Sequence, residues 1–477
     1  MDPADFRRHG HALVDWIADY LEHSERYPVL SRVKPGEITA ALPTAAPEDG
    51  EPFEAIMADF ERVLVPGLTH WNHPGFFAYF AITGSAPGVL ADFLSAAINQ
   101  QAMLWRTSPA ATELEAVTLG WLRQLIGLPN SFEGVIYDTA SISTMHAMLA
   151  AREIAVRDVR VRGLAGRSDL PRVRVYCSEQ THSSIDKSVM AIGLGQESLK
   201  RISVDAEYRM DPAALAGAIA SDRAAGILPI AVVATVGTTS TTSIDPVPAI
   251  ADICEREHLW LHVDAAYGGV AAMLPSHAHV LAGAGRADSL VVNPHKWLFT
   301  PVDLSAFYCR RMDTLRAAFA LTPEFILTGD EADAARRNLM NTGIQLGRRF
   351  RSLKLWMILR SFGAKAIRAH LAGHIRLAQL FASWVDAHPD FERLAPVPLS
   401  VVCFRWKPAD GSMPADGLDA ANERLLDLVN QTGEVFLSHT RLREGTALRL
   451  AIGHLQTAER HVRRAWDLLV DRAATLR

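Results

Sequence analysis

Residues 289–297 read SLVVNPHKW. Leu290, Val291 and Val292 form the short unbroken apolar run of a strand buried on both faces, and Asn293-Pro294 ends it, because proline has no N–H to give to a ladder. Lys296 therefore falls just past the end of a core strand. A lysine normally keeps its ammonium in water, so one delivered by an apolar strand between His295 and Trp297 either snorkels outward or does chemistry.

Runs of the same kind recur between residues 85 and 310: GVIYD, RVRVYC, ILPIAVVATV, LWLHVD and LSAFYC. Helix-length segments separate them, which is the pattern of a mostly parallel sheet covered on both faces, an α/β domain. Ahead of it, Phe6, Leu13, Trp16, Ile17, Tyr20 and Leu21 recur near helical spacing over residues 5–23, followed by the connector ALPTAAPEDGEP. That stripe packs either on its own domain or on a partner subunit. Beyond LGRRFRSLKLWMILRSFG the chain mixes helices with short strands such as LSVVCFRW and ALRLAIG, as in a small α+β domain. The expected division is an N-terminal helical segment over 1–84, a large α/β domain over 85–346 and a small α+β domain over 347–477. Arg348, Arg349 and Arg351 read as the solvated basic face of a helix whose apolar side is Phe350, Leu353 and Trp356.

Composition removes several classes of function. The 477 residues are 49% hydrophobic and carry a formal net charge of -5, with no basic field for a nucleic acid. Four cysteines, Cys177, Cys254, Cys309 and Cys403, lie far apart without metal-ligand spacing, so no metal is expected and a reducing cytoplasm fits. The charged start MDPADFRRHGHALVDW is no signal peptide, and no apolar stretch of about 20 residues marks a membrane span.

In open α/β sheets the ligand site lies at the carboxyl ends of the strands. After GVIYD, the residues Thr139, Ala140 and Ser141 precede a helix, either as an ordinary N-cap or as a cup of free N–H groups for a phosphate. After ILPIAVVATV comes GTTSTTS, a turn whose hydroxyls could also reach a phosphate. LWLHVD ends on Asp264, a carboxylate that is costly at a buried strand tip unless a cation or strong donor faces it. His182, in the loop after RVRVYC, supplies an imidazole able to stack and to move protons near neutral pH. One cofactor accounts for these ends together. Pyridoxal phosphate needs a lysine for its aldehyde, an acid for its ring nitrogen, a phosphate cup and a flat group over its face.

The chain also resembles the group II pyridoxal-phosphate-dependent decarboxylases, most of all their aromatic-L-amino-acid branch. The shared strings are HPGFFAYF (73–80), SPAATELE (108–115), THSSIDK (181–187), HVDAAYGG (262–269), NPHKW (293–297) and LGRRFRSLKLW (346–356), in family order along nearly the whole chain. The resemblance implies fold type I of the pyridoxal enzymes and a homodimer with shared active sites. It implies that Lys296 holds the cofactor aldehyde, Asp264 the ring nitrogen and His182 one ring face. Ala266 would pack on the other face, His295 beside the phosphate, and Ala140, Ser141, Thr239 and Asn293 would make phosphate and cofactor contacts.

For the substrate, an amino acid, it implies a side-chain pocket lined by Trp71, Tyr79, Phe80, Ile82 and Met103, with His182 alongside. An aromatic substrate follows. Ala81-Ile82 replaces the Pro-Thr usual after Tyr-Phe, and Met103 stands where the branch often has phenylalanine. The family also has a mobile loop, expected here over residues 328–343, with a tyrosine that returns a proton to the α-carbon. A gapless count back from LGRRFR puts Leu339 at that place, and the chain has no tyrosine after Tyr308. Three other readings stay open at this level: an aldehyde synthase, a fold type I aminotransferase and a non-catalytic protein on the same scaffold.

Overall fold

A computed structural model describes residues 1–321, 338–411 and 413–476. The chain folds as two units. One comprises Met1–Ala81, Leu380–Leu394 and Phe404–Arg477, and the other Ile82–Gln379 and Ala395–Cys403.

The first unit opens with helix α1 (Pro3–Glu22), started by Asp2, whose carboxylate accepts the N–H groups of Ala4 and Asp5, and by proline in its first turn. Trp16 stacks on Tyr20 at 5.5 Å and meets the edge of Phe60 at 5.2 Å. The expected stripe thus packs in part on its own unit, while Phe6 and Val14 remain exposed and no residue of α1 is fully buried.

The second unit is built on helices α2 (Ala86–Ile98), α3 (Pro109–Leu125) and α4 (Ala140–Ala155) and on a seven-stranded sheet. Its strands are β1 (Glu133–Tyr137), β2 (Val173–Ser178), β3 (Leu199–Ile202), β4 (Leu228–Thr235), β5 (Trp260–Asp264), β6 (Ser289–Val292) and β7 (Ser305–Cys309), in the order β1-β7-β6-β5-β4-β2-β3. Pairs β2–β3, β2–β4, β4–β5 and β5–β6 are parallel, and β7 runs against both β6 and β1. Reversing past β7 twice restores the direction, so β1 runs with β6, and every strand but β7 ends on the same edge. The sheet is an α/β arrangement as the apolar runs predict. Every second residue of the strands, Val135 and Tyr137, Val175 and Cys177, Ala231 and Val233, Phe307 and Cys309, joins Ala147, Met148 and Ala151 of α4 in one core.

Helix α5 (Ser352–Ala387) follows, broken at Gly363 where φ is 66°. The remaining strands, β8 (Phe391–Arg393), β9 (Val401–Trp406), β10 (Ser438–Leu442) and β11 (Gly445–Ala451), form a sheet in the order β10-β11-β9-β8.

Candidate active site

The shared strand edge gathers the chemistry of the second unit. Lys296 sits in a single turn, Pro294–Trp297, that starts directly after β6, and its N–H bonds the carbonyl of Asn293 at 2.9 Å. Trp297 is fully buried, stacked on Tyr267 at 4.8 Å, and donates its indole N–H to His374 at 3.0 Å. That wedge holds the lysine's backbone while Lys296 itself is half-buried. The β6 end is tied on both sides: Ser305 Oγ donates to Asn293 Oδ1 at 2.7 Å, and the Asn293 N–H bonds the carbonyl of Ala266 at 3.0 Å.

Asp264 is buried at the tip of β5, and its Oδ1 accepts the Ala266 N–H at 3.1 Å. His182 lies in the loop after β2 with an exposed side chain whose Nδ1 accepts the N–H of Ser184, at the start of the next helix. Its pKa lies below the ordinary imidazole value, first because the surrounding protein desolvates it, then because the Lys296 charge opposes a second positive charge, with Asp264 pulling the other way. Residues from three separated strand ends therefore share one electrostatic neighbourhood. The Nδ1 bond to Ser184 anchors the His182 ring at this edge.

His295 is buried beside the lysine, its Nδ1 accepting the Leu304 N–H at 3.0 Å, and its pKa is pushed down to about 3, chiefly by burial and then by Lys296. It is a neutral donor through Nε2. Thr239 is exposed in the turn after β4. At the end of β1, the residue before α4, Thr139, is extended and makes no side-chain cap bond, and the first backbone N–H returned to it is that of Ser143. Ala140, Ser141 and Ile142 thus begin a helix with no capping side chain, which fits an anion. The donor set fits pyridoxal phosphate: a lysine, a buried carboxylate, a stackable imidazole and an uncapped helix start on one edge.

The predicted substrate residues divide between the units. In the first, Trp71 stacks on Phe76 at 4.4 Å and on Tyr79 at 5.8 Å; Tyr79 is exposed and Phe80 buried. In the second, Ile82 is half-buried, and Met103 packs on Leu104 and Met340.

The C-terminal part of the predicted lid, residues 338–343, departs from expectation. Residues 328–337 lie outside the described residues. Leu339 is buried in the core with Tyr137, Met312 and Leu315, in the turn Leu339–Thr342, where Met340 N–H bonds the Met103 carbonyl at 3.0 Å. Gly343 packs so tightly that a Cβ there would lie 2.8 Å from His146. The basic run is not a solvated face either. Arg348 and Arg351 are buried and precede α5; Arg351 pairs with Asp303 (3.0 and 3.2 Å), while fully buried Lys354 donates to the carbonyls of Pro301 and Asp303. Only Arg349 of the three arginines is exposed. Buried acceptors, which a charge pattern does not reveal, draw these cations inward.

Residues 35–407 match the pyridoxal-dependent decarboxylase conserved domain. The chain belongs to the pyridoxal-dependent decarboxylase family. This decarboxylase is 40% identical to the aromatic-L-amino-acid decarboxylase of Sus scrofa, over 100% of its own length and 98% of the relative's. It is 38% identical to phenylacetaldehyde synthase of Arabidopsis thaliana, over 100% and 97%. Among solved structures it resembles Oryza sativa TDC with PLP and tryptamine, with a TM-score of 0.95 and 36% identity over 100% of this chain and 99% of that one. Its cofactor is pyridoxal 5'-phosphate, and it is an amino-acid decarboxylase of fold type I.

Proposed function

We propose that this decarboxylase converts an aromatic L-amino acid to its amine and carbon dioxide, with Lys296, Asp264 and His182 as its catalytic residues. The observation that carries the reading is that these three groups share one electrostatic neighbourhood, on the strand edge where the uncapped α4 also starts. Pyridoxal phosphate, when bound, supplies the electron sink for the pair left at the α-carbon. Lys296 offers the amine that takes the aldehyde. Asp264 holds a proton on the ring nitrogen. Ala140, Ser141, Thr239, Asn293 and His295 hold the phosphate end, while Ala266 and His182 bracket the ring. Trp71, Tyr79 and Phe80 of the first unit, and Ile82 and Met103 of the second, are the substrate residues the family resemblance gives, and the aromatic surfaces among them suit an aromatic substrate.

A second reading, an aldehyde synthase, is favoured by one observation: the described residues after Tyr308 offer no phenol, and the sequence has none there. His182 then has to return the proton to the α-carbon. Where it fails, dioxygen and water convert the same carbon to an aldehyde with release of ammonia and peroxide. His182 is present and favours the amine.

A homodimer is supported by the stripe Leu90, Phe93, Leu94 and Ile98 on α2, with Val117 and Trp121 on α3, all exposed in the single chain. Among the described residues no helix is long and apolar enough to cross a membrane. Four free, buried cysteines suit a cytoplasmic protein.

The test is to supply tryptophan, tyrosine, phenylalanine or dihydroxyphenylalanine with the cofactor under air, and to quantify carbon dioxide, amine, aldehyde and peroxide. Carbon dioxide matched by amine is expected. Matched peroxide establishes the synthase, and turnover only with an added keto acid overturns both in favour of an aminotransferase.

A further inference from the structure

Strand β1 is the outer strand of the large sheet beside β7, and its last residues lead directly into the uncapped start of α4. An outer strand has backbone groups facing away from its neighbour, and these need partners when buried. At Ile136 both are met by side chains. Glu115 Oε1 accepts the Ile136 N–H at 2.8 Å, Arg348 Nη2 donates to the Ile136 carbonyl at 2.7 Å, and the same Nη2 reaches Glu115 Oε1 at 2.7 Å. Two buried charged groups thus close a ring on one residue, in the place a neighbouring strand would occupy. Arg348 also brackets Ala102: its Nη1 donates to the Ala102 carbonyl at 3.2 Å, and its own carbonyl accepts the Ala102 N–H at 2.9 Å.

A buried ion pair is a weak source of net stability, because desolvating two charges offsets their attraction. An apolar pair of similar volume would fill the space but leave the Ile136 N–H and carbonyl without partners. What the pair supplies is register. It fixes the height of β1 two residues before the Asp138-Thr139 turn, and ties that height to the loop carrying Met103 and to the segment that leads into α5.

We propose that Glu115 and Arg348 are positioning residues for the cofactor's phosphate: by clamping Ile136 they set the turn that aims the first N–H groups of α4. This deepens the proposed function and rests on its reading of the α4 start as the phosphate cup. The clamp acts on the phosphate end alone, since Lys296 and Asp264 are carried by β6 and β5.

The experiment compares two ligands on the full-length protein, pyridoxal 5'-phosphate and pyridoxal, by their Lys296-dependent visible absorbance and their dissociation constants. The variants are Glu115→Gln, Arg348→Lys and, as a control in the exposed part of the same segment, Arg349→Met. Each is used only with the circular dichroism of the parent, and the near-isosteric Glu115→Gln carries the test if Arg348→Lys does not fold. The expected result is a loss of about tenfold or more in affinity for pyridoxal phosphate in both clamp variants, with less than about twofold change for pyridoxal. Arg349→Met should match the parent. A loss shared equally by both ligands makes the clamp a general structural anchor and overturns the proposal, as does no loss at all. Failure of the parent to develop a Lys296-dependent absorbance would instead refute the underlying site reading.

Discussion

Replacing Leu339 by tyrosine separates a sequence count from a position in space. By gapless count Leu339 stands where related decarboxylases have a proton-donating phenol, so Leu339→Tyr would restore that group and raise the amine fraction. The structure gives the opposite expectation. Leu339 is 3% exposed, packed with Tyr137, Met312 and Leu315, and its carbonyl accepts the Thr342 hydroxyl at 2.6 Å. A tyrosine ring there overfills a packed core, at about 1–3 kcal/mol. Its hydroxyl, buried without an arranged partner, costs about 1–3 kcal/mol more. Together these predict a loss of about 2–6 kcal/mol, with the product ratio unchanged. Guanidinium unfolding of parent and variant reads the first quantity through the shift in midpoint at constant slope. Amine, aldehyde and peroxide from one aromatic substrate read the second. Parent-like stability together with a raised amine fraction would show that residue 339 reaches the reacting carbon, and would refute its burial.

Lys296→Ala should abolish turnover and cofactor absorbance while leaving far-ultraviolet circular dichroism intact; more than trace activity would remove Lys296 from the mechanism. Asp264→Asn keeps size and loses charge, so the rate should fall by about 100- to 1,000-fold with weaker cofactor binding, as when a preorganised electrostatic partner is removed. A near-normal rate would leave Asp264 a structural group. His182 has a pKa below the ordinary 6.5, so its protonated form gains only as pH falls beneath that value. If His182 returns the proton, the amine share should rise on going down from pH 7 to pH 5.5 and be flat above pH 7, and a ratio independent of pH would assign the proton to another group.

The sheet was legible because strands buried on both faces are unbroken apolar runs, and because a polar residue ending such a run, Asp264 or Asn293, has to face something. Strand β3, with Lys200 and Arg201 in its four residues, escapes such a reading: an outer strand wets one side and loses its apolar signature. The reversal of β7 was also hidden, since a central strand is equally apolar in either direction. Glu115 and Arg348 were invisible for a different reason. An acid inside a helix and a basic run look solvated unless the distant backbone atoms they satisfy are known, and Ile136 is remote from Arg348 in sequence.

That reversed strand has a kinetic consequence. The strand pairs β2–β3, β4–β5 and β5–β6 are joined by long crossovers, whereas β6 returns to β7 through the shorter connection of residues 293–304, and Ser305 bonds Asn293 across it. Closing a short loop costs a chain less entropy than closing a long one, and contacts near in sequence form sooner. The connection bearing Lys296 is therefore the part of the sheet a refolding chain can close first, so the Lys296 amide should gain its hydrogen-exchange protection before the remote strands that lead to Asp264 and His182 have docked beside it.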